Sequence, residues 1–176
     1  MCTFITLVLP ATADQAAIQK LAEASGLGFA PYTNPMLVAQ LLPGEFLASA
    51  SRGHCDCGTA LGACREVAKH LPGLPREAKS WSKAKVDRWL GQKAVAEKRR
   101  QGRALDKVVL LRWQAFLQEV AEMKPAKTIG MLKHEIDRGL EDSEIRIKRR
   151  EIIRAEVVDP IFLSRISRDV LYVFQG

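Results

Sequence analysis

Thr3-Phe4-Ile5-Thr6-Leu7-Val8-Leu9, halted by Pro10, is the stretch on which the fold turns. Its residues are β-branched, aromatic or aliphatic throughout, with no polar alternation, so it reads as a strand buried on both faces. Such a strand needs neighbours on either side and a covering layer above and below. The first candidate cover follows directly. Thr12 and Gln15 have the form of a capping box, and Ala16, Ala17, Leu21 and Ala22 recur at helical spacing until Gly26, predicting a helix over residues 13–25.

Further along, Met36 to Leu42 and Phe46 to Ser51 flank the turn dipeptide Pro43-Gly44 and predict a β-hairpin. One or two helical turns after Asn34-Pro35 are the alternative for the first of these segments. Residues 64–70 predict a short helix, and Leu71 to Pro75 form a Pro/Gly break where the composition changes. Ser82 is placed to cap a helix running to about residue 101, with Val86, Leu90 and Ala94 on one side. The strongest helical pattern is Leu105, Val109, Trp113, Phe116, Leu117 and Val120, a core helix stopped by Pro125. Ile129, Leu132, Ile136 and Leu140 then predict another amphipathic helix, ending near Glu141. After it the period changes: Ile145 and Ile147 alternate with charges, residues 152–158 are β-prone, Asp159-Pro160 marks a turn, and Val170 to Phe174 reads as a last strand.

The expected architecture is therefore α+β, a single domain over residues 1–176. A small mixed or antiparallel sheet from the N-terminal and C-terminal strands pairs under a central run of helices. Residues 1–70 form the β-rich part, 76–141 the helical part and 142–176 the closing strands. With 47% hydrophobic and 27% charged residues, the composition is that of a packed globular chain. No apolar run approaches the roughly 18 residues of a membrane span. No Lys or Arg precedes Lys20, which argues against a signal peptide. A cytoplasmic location is the expectation, and with it reduced thiols.

The densest chemistry lies in Gly53-His54-Cys55-Asp56-Cys57-Gly58. Flanking glycines and an Asp permit a tight, irregular backbone. Cys55 and Cys57 could share one soft cation such as zinc, with His54, Cys64 or Cys2 completing a set of N and S ligands. The spacing departs from the usual zinc knuckle, which has two to four intervening residues and a second pair. The alternative is that the cysteines are small apolar side chains around a constrained turn. Cysteine catalysis needs a base, and His54 is poorly placed for it: in an extended stretch it would face the side of Asp56, away from Cys55. Cys2, if freed at the N-terminus, has the form of an N-terminal nucleophile, but no companion motif supports it. Dinucleotide, phosphate-loop and nucleophile-elbow signatures do not occur, and His134-Glu135 lacks the second histidine of a metalloprotease helix. No catalytic residue is assigned.

Charge is distributed unevenly. Residues 1–75 hold four Lys/Arg against five Asp/Glu, and residues 76–176 hold 23 against 15, so the net +7 originates in the second part. Lys83, Lys85, Arg88, Lys93, Lys98, Arg99, Arg100, Arg103 and Lys107 form one cluster, and Arg146, Lys148, Arg149, Arg150 and Arg154 a second. Two basic patches could follow a phosphate backbone, although few aromatic residues are free to stack on bases. The same residues suit an acidic protein surface. Trp81 and Trp89, with Lys85, Arg88, Arg99, Arg100 and Arg103, are the expected partner-binding residues, because interface cores favour Trp and Arg.

The opening Met1-Cys2-Thr3-Phe4-Ile5-Thr6, together with Gly53 to Thr59, resembles a group of small bacterial proteins without an assigned activity. In general type, a small α/β chain without catalytic motifs is similar to immunity proteins of contact-delivered bacterial toxins. That similarity implies a protein-binding inhibitor that occludes its partner, a toxin or another acidic surface. The alternatives are a nucleic-acid-binding accessory protein and a metal- or cysteine-dependent enzyme.

Overall fold

The structure, a computed structural model, describes residues 2–62, 81–104, 107–137 and 139–176, with side chains omitted over 94–104. The expected helix at 64–70, the break at 71–75, Leu105 and Cys64 lie outside the described residues. The fold is α+β. Among the described residues the strands are β1 (Cys2–Pro10), β2 (Ala30–Tyr32), β3 (Glu45–Ser49), β4 (Thr128–Ile136), β5 (Arg149–Arg154) and β6 (Val170–Gln175). Its helices are α1 (Gln15–Ala24), α2 (Pro35–Val38), α3 (Lys83–Ala104), α4 (Lys107–Glu122) and α5 (Pro160–Leu163). No helix among the described residues is long and apolar enough to cross a membrane.

The strands form one mixed sheet in the order β2-β3-β1-β4-β6-β5, antiparallel except for the parallel pair of β5 and β6. The first and last strands do not pair with each other. Both pair with β4, the segment whose sequence predicts a helix. The spacing of Ile129, Leu132 and Ile136 misleads for a physical reason. A strand covered on both faces is apolar on both, so its residues satisfy a helical period by chance. In the sheet Ile129 and Met131 face one core, while Leu132 and Ile136 face the other. Gly130 sits between the flanking strands, where a Cβ would meet Val8 Cβ at 2.9 Å and Leu171 Cδ1 at 3.0 Å.

One face of the sheet is covered by α1, α4 and α5. Of the predicted stripe of α4, Trp113, Phe116, Leu117 and Val120 are buried there against Ile5, Leu7, Leu9 and Phe174, Val109 is only partly buried, and Leu110, outside the predicted stripe, joins them. α1 contributes Ile18 and Ala22 to the same core, and its cap is Asp14, which accepts from the Ala17 N–H, rather than Thr12. The opposite face is covered by α2 and the chain over 139–147. Met36 to Leu42 is thus not a hairpin strand; the helical alternative holds. Asn34 caps α2 by accepting from the Leu37 N–H at 2.9 Å, and Pro35 occupies the first helical position. The Asn34 side chain also donates to the Leu140 and Ser143 carbonyls at 2.7 and 2.9 Å. Gln40 bonds the Ile145 carbonyl and the Ile147 N–H in the same way. Arg150 of β5 reaches Glu45 at the start of β3, so the ion pair joins strands that are far apart in the sheet order.

Beneath this second layer lies a short polar chain. His134 Nε2 is 2.8 Å from the Thr6 hydroxyl, which is 2.6 Å from the Tyr32 hydroxyl, and the His134 ring stacks on Phe4. Burial pushes the Tyr32 hydroxyl up to about 12, against the opposing effect of its bond to Thr6. His134 Nδ1 is buried with no hydrogen-bond partner among the described residues. Burial holds this imidazole down at about 4, and the Asp169 carboxylate only partly opposes the shift. An unfolded histidine titrates near 6.5, so as pH falls from there towards 4 the unfolded chain binds more protons than the folded one. This contribution to stability is complete above pH 6.5 and is lost on acidification towards pH 4, by about 3 kcal/mol. Urea unfolding at pH 7 and pH 4.5 will show a smaller loss in His134→Gln than in the parent; equal losses would contradict this assignment.

Candidate thiol site

The site originates in a mismatch of strand lengths. β3 pairs with β1 only from Thr6 to Pro10, whereas β4 pairs with it from Cys2 onward. Along residues 2–5, one edge of β1 is therefore left without a strand among the described residues. Backbone N–H and C=O groups there still require partners. The Gly53–Gly58 segment supplies three of these partners, and Ala50, next after β3, supplies the fourth. The Ala50 N–H donates to the Ile5 carbonyl at 3.0 Å and the Asp56 N–H to the Thr3 carbonyl at 2.8 Å. The Ile5 N–H donates to Asp56 Oδ2 at 2.8 Å, and the Thr3 N–H donates to Cys57 Sγ at 3.1 Å. An acidic side chain and a sulfur thus replace two acceptors of a missing strand.

The turn is itself held from three directions. The Ser51 hydroxyl donates to the same Asp56 oxygen as Ile5. Thr59 donates its N–H and its hydroxyl to the Asp56 carbonyl at 2.8 and 2.9 Å, and accepts from the Gly62 N–H at 3.0 Å. Gly62 passes so close that a Cβ would lie 1.8 Å from the Asp56 carbonyl oxygen, a position only glycine can fill. Arg52 donates to the Glu23 and Leu27 carbonyls, fixing the turn to the C-terminal end of α1, where a cation is favoured. Asp56 is 5% exposed, and burial pushes its carboxyl above the usual range despite the hydrogen bonds from Ser51 and Ile5 that favour the anion.

This docking brings Cys2, Cys55 and Cys57 together with their sulfur atoms within 4.8 Å of one another. Cys2 is exposed and the other two are partly so, and all three are free thiols. Burial alone would raise the Cys57 thiol, but the Thr3 N–H and the thiols of Cys55 and Cys2 outweigh it and lower its pKa. For Cys55 the largest influence, a backbone hydrogen bond from Cys57, favours the thiolate. It is outweighed by the Cys57 side chain, slight burial and Cys2, and the pKa rises. The Thr3 N–H, 3.1 Å from Cys57 Sγ, favours an anion on that sulfur. The cluster could hold one metal ion.

Cys64 of the expected ligands lies outside the described residues; the others can be placed. Cys55 and Cys57 converge as the sequence predicts, and Cys2, one of three alternatives, joins them. His54 is exposed and does not belong to the cluster. Nor does it share a side with Asp56, which is buried, because the segment is a turn and not an extended strand. The roles of Thr3, Ser51 and Asp56 have no motif of their own; the only signal is a carboxylate placed between two cysteines and flanked by glycines.

The basic region resolves in part. Trp81 and Trp89 meet edge to face at 6.3 Å, with Lys85 Nζ 4.5 Å from the Trp81 ring centre and Lys93 Nζ 5.4 Å from that of Trp89. Both tryptophans are partly buried, and Lys85 and Arg88 are exposed. Arg99, Arg100 and Arg103 fall within α3, in the part whose side chains are not described. In the second basic cluster Lys148 pairs with Asp169, Arg149 with Glu151, Arg150 with Glu45 and Arg154 with Glu156. In comparisons with known proteins, no family model, no curated protein and no solved structure matches the chain.

Proposed function

We propose that this protein binds a soft, thiophilic metal ion at Cys2, Cys55 and Cys57 and exchanges it at the surface. The observation that carries the reading is the convergence of three sulfurs on a backbone-anchored turn. Thiolates are the ligands that zinc and other soft cations prefer. Exposure of Cys2 leaves the site open to incoming ligands, which suits uptake and release better than permanent structural binding. The sequence leads to no expected cofactor but leaves zinc possible, and zinc would take a solvent or partner atom in its fourth position. In the test, reduced protein prepared without chelator is titrated with Zn²⁺ and with Cd²⁺, monitoring the ultraviolet thiolate-to-metal band. One equivalent of Cd²⁺ should develop the band, and Cys55→Ser combined with Cys57→Ser should abolish it. No thiol-dependent band with any soft ion would contradict the proposal.

A second reading keeps the expected protein-binding role. What supports it is the Trp81–Trp89 pair with its two lysines, an aromatic and cationic face of the kind that anchors interfaces. An acidic protein surface is the partner this face fits. An inhibitor of the immunity type would use it to occlude a toxin, although no described feature singles out a toxin. If the face is an anchor, Trp89→Ala will lose binding to an acidic partner recovered with the parent protein while leaving the folded spectrum intact. Retention of that binding in both Trp81→Ala and Trp89→Ala would exclude this face.

A further inference from the structure

We infer that Cys2 and Cys57 form a thiol–disulfide exchange pair that a low-molecular-weight disulfide oxidises, and that the bridge they make shuts the metal site. The exchange needs only the sulfur cluster; its consequence for metal rests on the metal-binding reading above. Cys2, Cys55 and Cys57 hold their sulfurs within 4.8 Å of one another as free thiols, a separation that leaves side-chain rotation to make an S–S bond of about 2 Å. Backbone bonds select the pair. The Asp56 N–H donates to the Thr3 carbonyl and the Thr3 N–H to Cys57 Sγ at 3.1 Å, which sets that sulfur beside the peptide group joining Cys2 to Thr3. A Cys55–Cys57 bridge would instead bend the chain around Asp56, whose N–H and carboxylate already hold Thr3 and Ile5.

Exposure assigns the roles. Cys2 is exposed and Cys57 only partly so, hence the Cys2 thiolate meets the incoming disulfide. It attacks one sulfur of that molecule: the S–S bond of the substrate breaks, a mixed disulfide forms on Cys2, and the released sulfur takes up a proton and departs as a thiol. The Cys57 thiolate then attacks Cys2 Sγ, the mixed disulfide breaks, the Cys2–Cys57 bond forms and a second thiol departs. Two electrons pass from two cysteine sulfurs to the substrate, which leaves as two thiols. The bridge ties β1 to the turn and withdraws two of the three clustered donors, since a metal binds the thiolate.

In the test, the full-length reduced, metal-free protein is treated with excess glutathione disulfide, quenched with acid and mapped by non-reducing peptide mass spectrometry. The parent should lose the mass of two hydrogens and carry a Cys2–Cys57 bond. Cys55→Ser and Cys64→Ser should form the same bond. Adding Cys57→Ser to Cys55→Ser should stop the reaction at a glutathione adduct on Cys2; serine keeps an acceptor for the Thr3 N–H, and circular dichroism verifies the fold. The bond mapped in the parent decides the pairing whether or not that double variant folds. A bond from Cys55 to Cys57, a bond to Cys64, a lasting glutathione adduct on the parent or a parent that stays reduced would each overturn the pair. Oxidised parent should show no thiolate-to-Cd²⁺ band, and reduction should restore it; a full band in the cross-linked protein would overturn the closing of the site. Absence of the band in the reduced protein would defeat the metal-binding reading alone, leaving the exchange pair to the mapped bond.

Discussion

The N-terminal half of β1 has one edge with no strand beside it among the described residues, and satisfying the backbone groups there organises the surrounding structure. β3 ends its pairing at Thr6, yet Thr3 and Ile5 still direct N–H and C=O groups toward the empty lane. An open edge is also a template for pairing with other chains. The chain fills it with a turn instead of a strand, through the Asp56 N–H, the Asp56 carboxylate and the Cys57 sulfur. Because these groups come from adjacent residues, the turn must be tight, which explains the Thr59 brace and the absence of a Cβ at Gly62, whereas a Cβ at Gly53 or Gly58 would meet open space. The three sulfurs meet as a consequence of this edge closure. Chemistry and architecture therefore share the same hydrogen bonds.

The rest of the sheet provides the rigid ground for that edge. β4 lies at the centre with both faces covered, packed under α4 on one side and under α2 and residues 139–147 on the other. The second layer contains little regular structure and is secured by side-chain bonds from Asn34 and Gln40 to backbone groups more than a hundred residues away. Below it, His134 and Thr6 form a neutral polar contact between the two central strands. An uncharged imidazole tolerates this position; a charged one would lack both water and a partner for Nδ1.

Legibility from sequence followed the strength of local signals. β1 was readable because a run without polar alternation bounded by Pro10 has few alternatives, and α4 because Trp113, Phe116, Leu117 and Val120 repeat a single face. β4 was not, since a doubly covered strand erases the period that would distinguish it from a helix. Asp159-Pro160 reads as a turn, yet like Asn34-Pro35 it is a helix start in which Asp or Asn caps and Pro occupies the first position. At the site, Cys55 and Cys57 announced themselves by composition, but the entry of Cys2 depends on a contact spanning more than fifty residues. Only the sheet register, which decides where β3 stops, reveals that the turn must lie against Thr3.

The central claim is that the turn acts as a substitute strand for Thr3 and Ile5. Residue-resolved amide hydrogen exchange tests it most directly. Both amides should exchange slowly, as those of Leu7 and Leu9 in the same strand do, and Cys57→Ala should accelerate Thr3 while Ile5 stays slow. Rapid exchange of Thr3 and Ile5 in the parent protein, as at an open strand edge, would contradict the account.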